Sequence, residues 1–427
     1  MNYKTTHILL GCLLLPLFSA AQWSTATLSV GRYELASCKA GNKLLFAGGA
    51  TWIPQANSKR VDIYDLVTET WSVDSLSEGR DEMSAASYGD LAFFVGSSGL
   101  DNLARIMDIY DASTGAWSKK TLPHAEYIKA ITASDNKVFI GGNEYIDIYN
   151  IATGQWSSHP LSEPRNYMAA ASVGNKVLFA GGYGSKTVDV YDISTDTWTT
   201  TNSLSEGRQG LVAVTLGDKA YFAGGVKTDY NVSKAVDIYD ASTDTWSVET
   251  LSIGRGALGI TTLNGKVFFA GGRGNNGSGY FNSIDILDTA TNQWSTAQLS
   301  AGRHSLTAVS ANGKAYFAGG NVSAGSSNLI DVYDGSMSAT SQLPGPLVRV
   351  DFYPNPCHDQ LNIQWFESMT VDHCDAAIYT LTGQLLTRTS LDKQPTQVIP
   401  VDQIPKGAYV LKLTTDQQSV SKMFVKE

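Results

Sequence analysis

Residues 236–246 read VDIYDASTDTW, and the stretch returns with small changes at 61–71, 107–117, 146–156, 188–198 and 284–294. Its first half occurs once more at 330–334. The alternation in Val-Asp-Ile-Tyr-Asp predicts a short strand, Asp-x-x-Thr-x a tight turn, and the Trp the start of a returning strand. A unit this short cannot bury a core alone, so its copies must stack.

Working outward, each Trp strand leads to a Leu-Ser-x-Gly-Arg turn, as at 28–32, 76–80, 204–208, 251–255 and 299–303, with Pro replacing Gly at 161–165. A small-residue strand follows, such as 169–173. Next come a Gly-Asn-Lys or Asn-Gly-Lys turn and an apolar strand that ends in Gly-Gly. Four antiparallel strands (a to d) in every 39–48 residues predict the blade of an all-β propeller. There are seven Gly-Gly-type strands and seven VDIYD-type strands, and Trp strands begin at residues 23, 71, 117, 156, 198, 246 and 294. The VDIYD strand at 330–334 has no Trp strand after it, and Trp23 has no VDIYD strand before it. A Trp23 strand laid beside 330–334 completes a seventh blade and covers an open edge. Seven-bladed closure through the N-terminal strand is the expectation.

The doublets at 48–49, 141–142, 181–182, 224–225, 271–272 and 319–320, the first four followed by a Tyr and then a Trp seven residues on, resemble kelch repeats. Blade 2 departs with Gly96-Ser97, and blade 6 has Leu287 in the Tyr slot. The repeated Trp and Gly-Gly positions read as scaffold: one large aromatic per blade buries ~150–250 Å² between neighbours.

Alternating strand directions put the a–b and c–d turns on one face and the b–c and d–a connections on the other. The first face is uniform. The second has b–c loops of very different length, and it carries Trp52, Tyr145, Tyr183, Tyr230, Tyr280 and Phe281. Variable loops on a rigid frame are where recognition sits. The d–a turns add Arg32, Arg80, Arg165, Arg208, Arg255 and Arg303 to this face, with Glu126 in that slot of blade 3. The resemblance implies that such arginines contact acidic partners. The physical alternative is an ion pair with the Asp that opens each VDIYD strand (Asp62, Asp108, Asp189, Asp237, Asp285, Asp331). Glu126 beside Asp147 breaks the symmetry.

Lys plus Arg at 31 against Asp plus Glu at 40 gives a net charge of −9, which excludes nucleic acid and anionic membrane as main partners. The propeller histidines, His124, His159 and His304, have no local metal spacing, and no G-x-S-x-G elbow is present. No catalytic set, metal or cofactor is implied. Kelch-like copper oxidases need a Cys–Tyr crosslink, and Cys38 is the one propeller cysteine. Kelch-like sugar epimerases and mutarotases use channel residues without a short motif, so a carbohydrate-active enzyme is the alternative that the resemblance leaves open.

Lys4, the apolar stretch 8–18 and Ser19-Ala20-Ala21 predict a signal peptide over 1–21, too short to span a bilayer. The propeller is expected over 22–340 and a linker over 341–347. Alternation resumes over 348–427 as a small β-sandwich. Tyr353-Pro-Asn-Pro356, Asp359-Gln-Leu-Asn-Ile363, Tyr379 to Gly383, Gly407 to Lys412 and Lys422 to Lys426 resemble the C-terminal sorting domain of the type IX secretion system of Bacteroidetes. That resemblance implies contact with the type IX machinery, export across the outer membrane, and release or surface attachment. A Cys357–Cys374 disulfide suits an oxidising compartment and stays open on sequence. Together these readings describe an exported propeller that recognises a protein or glycan through its b–c/d–a face.

Overall fold

The computed structural model describes residues 23–96, 102–124, 130–201, 203–336, 350–353, 356–365, 374–380, 384–391, 396–415 and 419–427. The signal-peptide region, the linker and Glu126 lie outside these residues. The chain divides into two compact units between residues 337 and 338.

Among the described residues, the first unit holds seven four-stranded antiparallel sheets. A representative sheet runs Ala169–Val173, Lys176–Ala180, Val188–Asp192, Thr197–Thr201. The first strands of the sheets (Ala36–Ala40, Ser84–Tyr88, Ala130–Ser134, Ala169–Val173, Val212–Leu216, Gly259–Leu263, Thr307–Ala311) each pack on the next, and the last packs on the first. Their small side chains let seven strands crowd round one axis. The second strand of each sheet is covered on both faces by neighbouring sheets, so beyond its first residue it is a run of buried residues rather than an alternation. In Lys176–Ala180 every residue after the lysine is buried. The fourth strand faces solvent and is polar, as in Thr197–Thr201.

The ring closes as the count of strands requires. Trp23–Thr27 pairs antiparallel with Leu329–Asp334, from Trp23 opposite Tyr333 to Thr27 opposite Leu329. The repeated tryptophans pack on the Tyr of the adjacent strand, with Tyr64–Trp71 and Tyr110–Trp117 centroids 4.9 Å apart and Tyr191–Trp198 5.0 Å apart. They are scaffold. The Gly-Gly doublets stitch blade to blade: Gly49 N–H donates to Arg80 O at 2.8 Å, and Gly320 N–H to Arg32 O at 2.8 Å across the closure. At Gly49 (φ 89°) a Cβ would stand 2.6 Å from Tyr33 O, so no side chain fits.

The second unit is a β-sandwich. One sheet runs Val350–Tyr353, Gln360–Trp365, Thr396–Pro400; the other runs Leu385–Leu391, Cys374–Thr380, Gly407–Thr415, Ser419–Lys426. Leu361, Ile363 and Ile399 from the first face Ile378, Leu411 and Phe424 from the second in one core. Cys357 is a buried free thiol, and the side chain of Cys374, to which a disulfide stayed open on sequence, lies outside the described residues. The Cys357 backbone ties down the chain end, accepting from Glu427 N–H at 2.9 Å and donating to Val425 O at 2.8 Å.

Candidate functional site at the channel mouth

The Leu-Ser-x-Gly-Arg turn builds a carboxylate grip. Its Ser N–H and its Arg side chain both bind the Asp that opens the VDIYD-type strand of the same blade. Ser205 N–H reaches Asp237 Oδ1 at 2.8 Å, and Arg208 Nη2 lies 2.5 Å from Asp237 Oδ2. Arg32 with Asp62 and Arg80 with Asp108 repeat the contact. So do Arg165–Asp189 at 2.7 Å, Arg255–Asp285 at 2.9 Å and Arg303–Asp331 at 2.6 Å. The guanidiniums also hold backbone carbonyls, as Arg165 Nε does Gly181 O at 2.8 Å and Arg255 Nη1 does Ser283 O at 2.8 Å. Burial lowers the Arg32 pKa to about 10, against the opposing pull of Asp62, which leaves it charged at neutral pH. All six arginines are buried. The ion-pair reading therefore describes them, and the expectation that they reach an acidic partner gives way because each guanidinium is buried and paired with the Asp of its own blade.

Blade 3 differs. Asp147 is buried like the other carboxylates, but its partner is His124, with Nδ1 2.8 Å from Oδ1 and the His124 N–H donating to Oδ2 at 2.9 Å. Ser158 Oγ donates to the same carboxylate at 2.6 Å. His124 stacks on Tyr145 with centroids 4.0 Å apart. Tyr145, expected in a b–c loop, opens the strand Tyr145–Asn150 and is half-buried under that histidine.

The remaining aromatics stand on the b–c loops. Tyr183 is 74% exposed, Tyr230 73%, Trp52 51% and Tyr280 41%. Trp52 sits beside Tyr33 (6.4 Å between centroids) and against Gly325 of the seventh blade. Tyr280 stacks on His304 at 5.3 Å.

Two residues beyond each d–a arginine the backbone turns left-handed: Glu34 (φ 56°), Glu82 (46°), Tyr167 (56°), Gly210 (61°), Ala257 (52°) and Ser305 (54°). Backbone bonds join these corners across blades, with Glu34 N–H to Ser305 O at 2.9 Å, Gly210 N–H to Tyr167 O at 2.9 Å and Ser305 N–H to Ala257 O at 2.7 Å. The corners rim a cavity of about 510 Å³ lined by Glu34, Glu82, Tyr167, Gln209, Arg273 and His304 over a floor that includes Met83, Leu211 and Leu306. The geometry repeats and the side chains do not. Burial and the positive charge of Arg273 lower the His304 pKa to about 4, so its imidazole is neutral at neutral pH. Its Nδ1 lies 3.0 Å from Ser305 Oγ. Deeper in the channel a second cavity of about 240 Å³ is lined by Ala36, Ser37, Ile131, Ala170, Thr307 and their neighbours, with no ionisable side chain among them.

None of the six polar mouth residues is among the contacts expected from sequence, where His304 enters only as a histidine without metal spacing. The usable signal was the pair of positions after each arginine, where the repeat stops repeating: Tyr33-Glu34, Asp81-Glu82, Asn166-Tyr167, Gln209-Gly210, Gly256-Ala257, His304-Ser305. Among the described residues, no group of three or more His, Cys, Asp or Glu is placed to hold a metal ion. No helix there is long and apolar enough to cross a membrane.

A closed ring of four-stranded sheets with a polar mouth on its variable face, followed by a separate sandwich, defines a β-propeller with an appended β-domain. The Kelch motif family matches residues 164–205 and 254–298, and the secretion system C-terminal sorting domain family matches residues 351–427. The propeller thus carries kelch motifs and the second unit is a type IX sorting tail, which marks the protein for export to the cell surface or the medium. No curated protein matches the sequence. The solved structure of YjhT is similar at 14% identity and a TM-score of 0.49, over 71% of this chain and 95% of that one.

Proposed function

We propose that the protein is an exported recognition module, carried into the export route by the 1–21 signal peptide, that binds a protein or glycan through its b–c/d–a face. One observation carries the reading: side chains that the repeat does not share converge on that face, as a polar cavity of about 510 Å³ and four exposed aromatics on interlocked loops. The opposite face offers the same Asp-capped turn in blade after blade, as where Asp65, Asp192 and Asp240 each accept backbone N–H groups. A rigid ring with one diverse face is built for binding.

The test applies the full chain to a glycan array and to an affinity capture whose partners are identified by mass spectrometry. Binding should weaken in Arg273→Ala and Trp52→Ala while thermal unfolding is unchanged. Folded protein that captures nothing specific in either assay would sink the proposal.

The alternative, a carbohydrate-active enzyme, draws support from the ionisable groups at the mouth: Glu34 and Glu82 share one cavity with neutral His304. Carboxylates and a neutral imidazole suit proton transfer to and from a sugar. Sugar turnover followed by NMR, lost in both Glu34→Gln and His304→Gln, would favour it over simple recognition.

A further inference from the structure

Three consecutive b–c loops, 183–187, 226–234 and 273–282, fit one another across blades 4, 5 and 6. Gly184 lies so close to Thr228 that a Cβ there would stand 2.3 Å from its Cγ2. Val232 N–H donates to Asn275 Oδ1 at 2.8 Å, tying the second loop to the third. The large apolar side chains that these loops expose are all tyrosines: Tyr183, Tyr230 and Tyr280. Two of them stand in left-handed backbone, Tyr183 at φ 27° and Tyr230 at φ 62°. A residue with a Cβ is strained there, and side chains about three-quarters exposed return little packing for that strain. An exposed aromatic kept at such a cost to the fold points to a ligand.

The surroundings say which ligand. The same loops carry Asn231, Asn275, Asn276, Ser278 and Asn282, amides and hydroxyls rather than the aliphatic surface found at the centre of a protein interface. The lysines of these loops are already engaged: Lys186 Nζ with Ser205 O at 2.8 Å, Lys227 Nζ with Glu206 at 3.6 Å, and Lys234 Nζ with Ser252 O at 3.1 Å. Asp229 is likewise spent on Asn231, accepting from its N–H and its side-chain amide at 3.0 Å. Arg273, the remaining cation of these loops, lies at the mouth cavity beside His304, and the −9 chain as a whole disfavours a polyanion. Flat rings on loops rich in amides and hydroxyls match the C–H faces and hydroxyls of pyranose rings.

We infer that Tyr183, Tyr230 and Tyr280 form a ledge for an extended, uncharged polysaccharide, running over blades 4 to 6 toward the mouth cavity at His304. The inference rests on the recognition reading above and names the ligand class for this part of the face. The loops are locked to each other before binding, so little order is lost on association.

Affinity electrophoresis of the full chain through gels containing β-1,4-glucan, β-mannan, xylan, starch or, for contrast, polygalacturonate tests it. Retardation by at least one neutral polymer should fall roughly tenfold or more in Tyr183→Ala/Tyr230→Ala, the loss expected of aromatic anchors. Tyr183→Trp/Tyr230→Trp should keep it, and the unfolding temperature should not move in either variant. Retardation that the double Ala variant leaves intact would overturn the ledge and leave recognition by the face standing. So would retardation by polygalacturonate alone. No retardation by any polymer would also overturn the ledge, and the affinity capture of protein partners then decides the wider reading separately.

Discussion

His124 stands against Asp147 where six other blades set an arginine against the same carboxylate, its Nδ1 2.8 Å from Oδ1. The exchange alters what each blade depends on. Asp237 is fully buried and faces the Arg208 guanidinium, so removing the arginine strands a charge in the interior. Breaking a buried pair from one side costs ~3–5 kcal/mol. Asp147 keeps the Ser158 hydroxyl at 2.6 Å if the half-exposed His124 ring is lost, and the His124 N–H is backbone. A lost side-chain bond of that kind costs on the order of 1 kcal/mol. Chemical denaturation should therefore rank Arg208→Ala well below His124→Ala in stability. Equal losses would show that the arginine grip does not hold the corner.

Closure of the ring rests on one five-residue strand. Trp23 packs 5.1 Å from Tyr333 and 6.0 Å from Phe317, centroid to centroid, and its strand covers the edge of Leu329–Asp334. Trp→Ala in a full core costs ~3–5 kcal/mol, and Trp23 is only half-buried, so a loss near ~2 kcal/mol is expected. Limited proteolysis of Trp23→Ala should cut first near 329–334, where the edge is uncovered. First cuts in another blade would contradict closure at this point.

The ring was legible because its code is local. Period-2 alternation marked the Val-Asp-Ile-Tyr-Asp strand, Asp-x-x-Thr the turn, and a mismatch between two strand counts located the closing partner of Trp23. The mouth was not legible in the same way. Glu34, Tyr167 and Ser305 line the cavity because a left-handed corner turns them there, and no hydrophobic period carries that backbone angle. Arg273 arrives from a b–c loop, 31 residues before the His304 it polarises. Glu126 flagged the odd blade, but the group that meets Asp147 sits two positions earlier, at His124, where Leu122-Pro-His departs from Leu-Ser-x-Gly-Arg.

The sorting tail has its own core, so it can be damaged without touching the propeller. Phe424 is buried between the two sheets, and Val425 to Glu427 are tied to Cys357. Phe424→Asp would place an unpaired carboxylate in that core, a penalty of several kcal/mol in a small domain. Export measured by immunoblot of cells and medium should fall toward that of a chain cut after residue 350, while the main thermal transition of the propeller stays where it is. Undiminished export of Phe424→Asp would show that the folded sandwich is not what the machinery reads.

His304 makes stability depend on pH in a defined window. Its pKa is about 4 in the fold, lowered first by burial and then by Arg273, against about 6.5 in an unfolded chain. Between these values the unfolded chain binds more protons than the folded one, so stability rises with pH from about 4 to about 6.5 and is lost as pH falls through that range. Above the window both states are neutral at this ring, and below it both are protonated, so the contribution is flat at each end. Wild type minus His304→Gln in unfolding free energy should therefore decline between pH 6.5 and 4 and level off outside. NMR of the His304 ring should titrate near 4, and Arg273→Ala should raise the midpoint only part of the way, because burial is the larger cause. A midpoint near 6.5 in the wild type would mean that the mouth is wetter and less charged around His304 than its packing against Tyr280 and Ser305 requires.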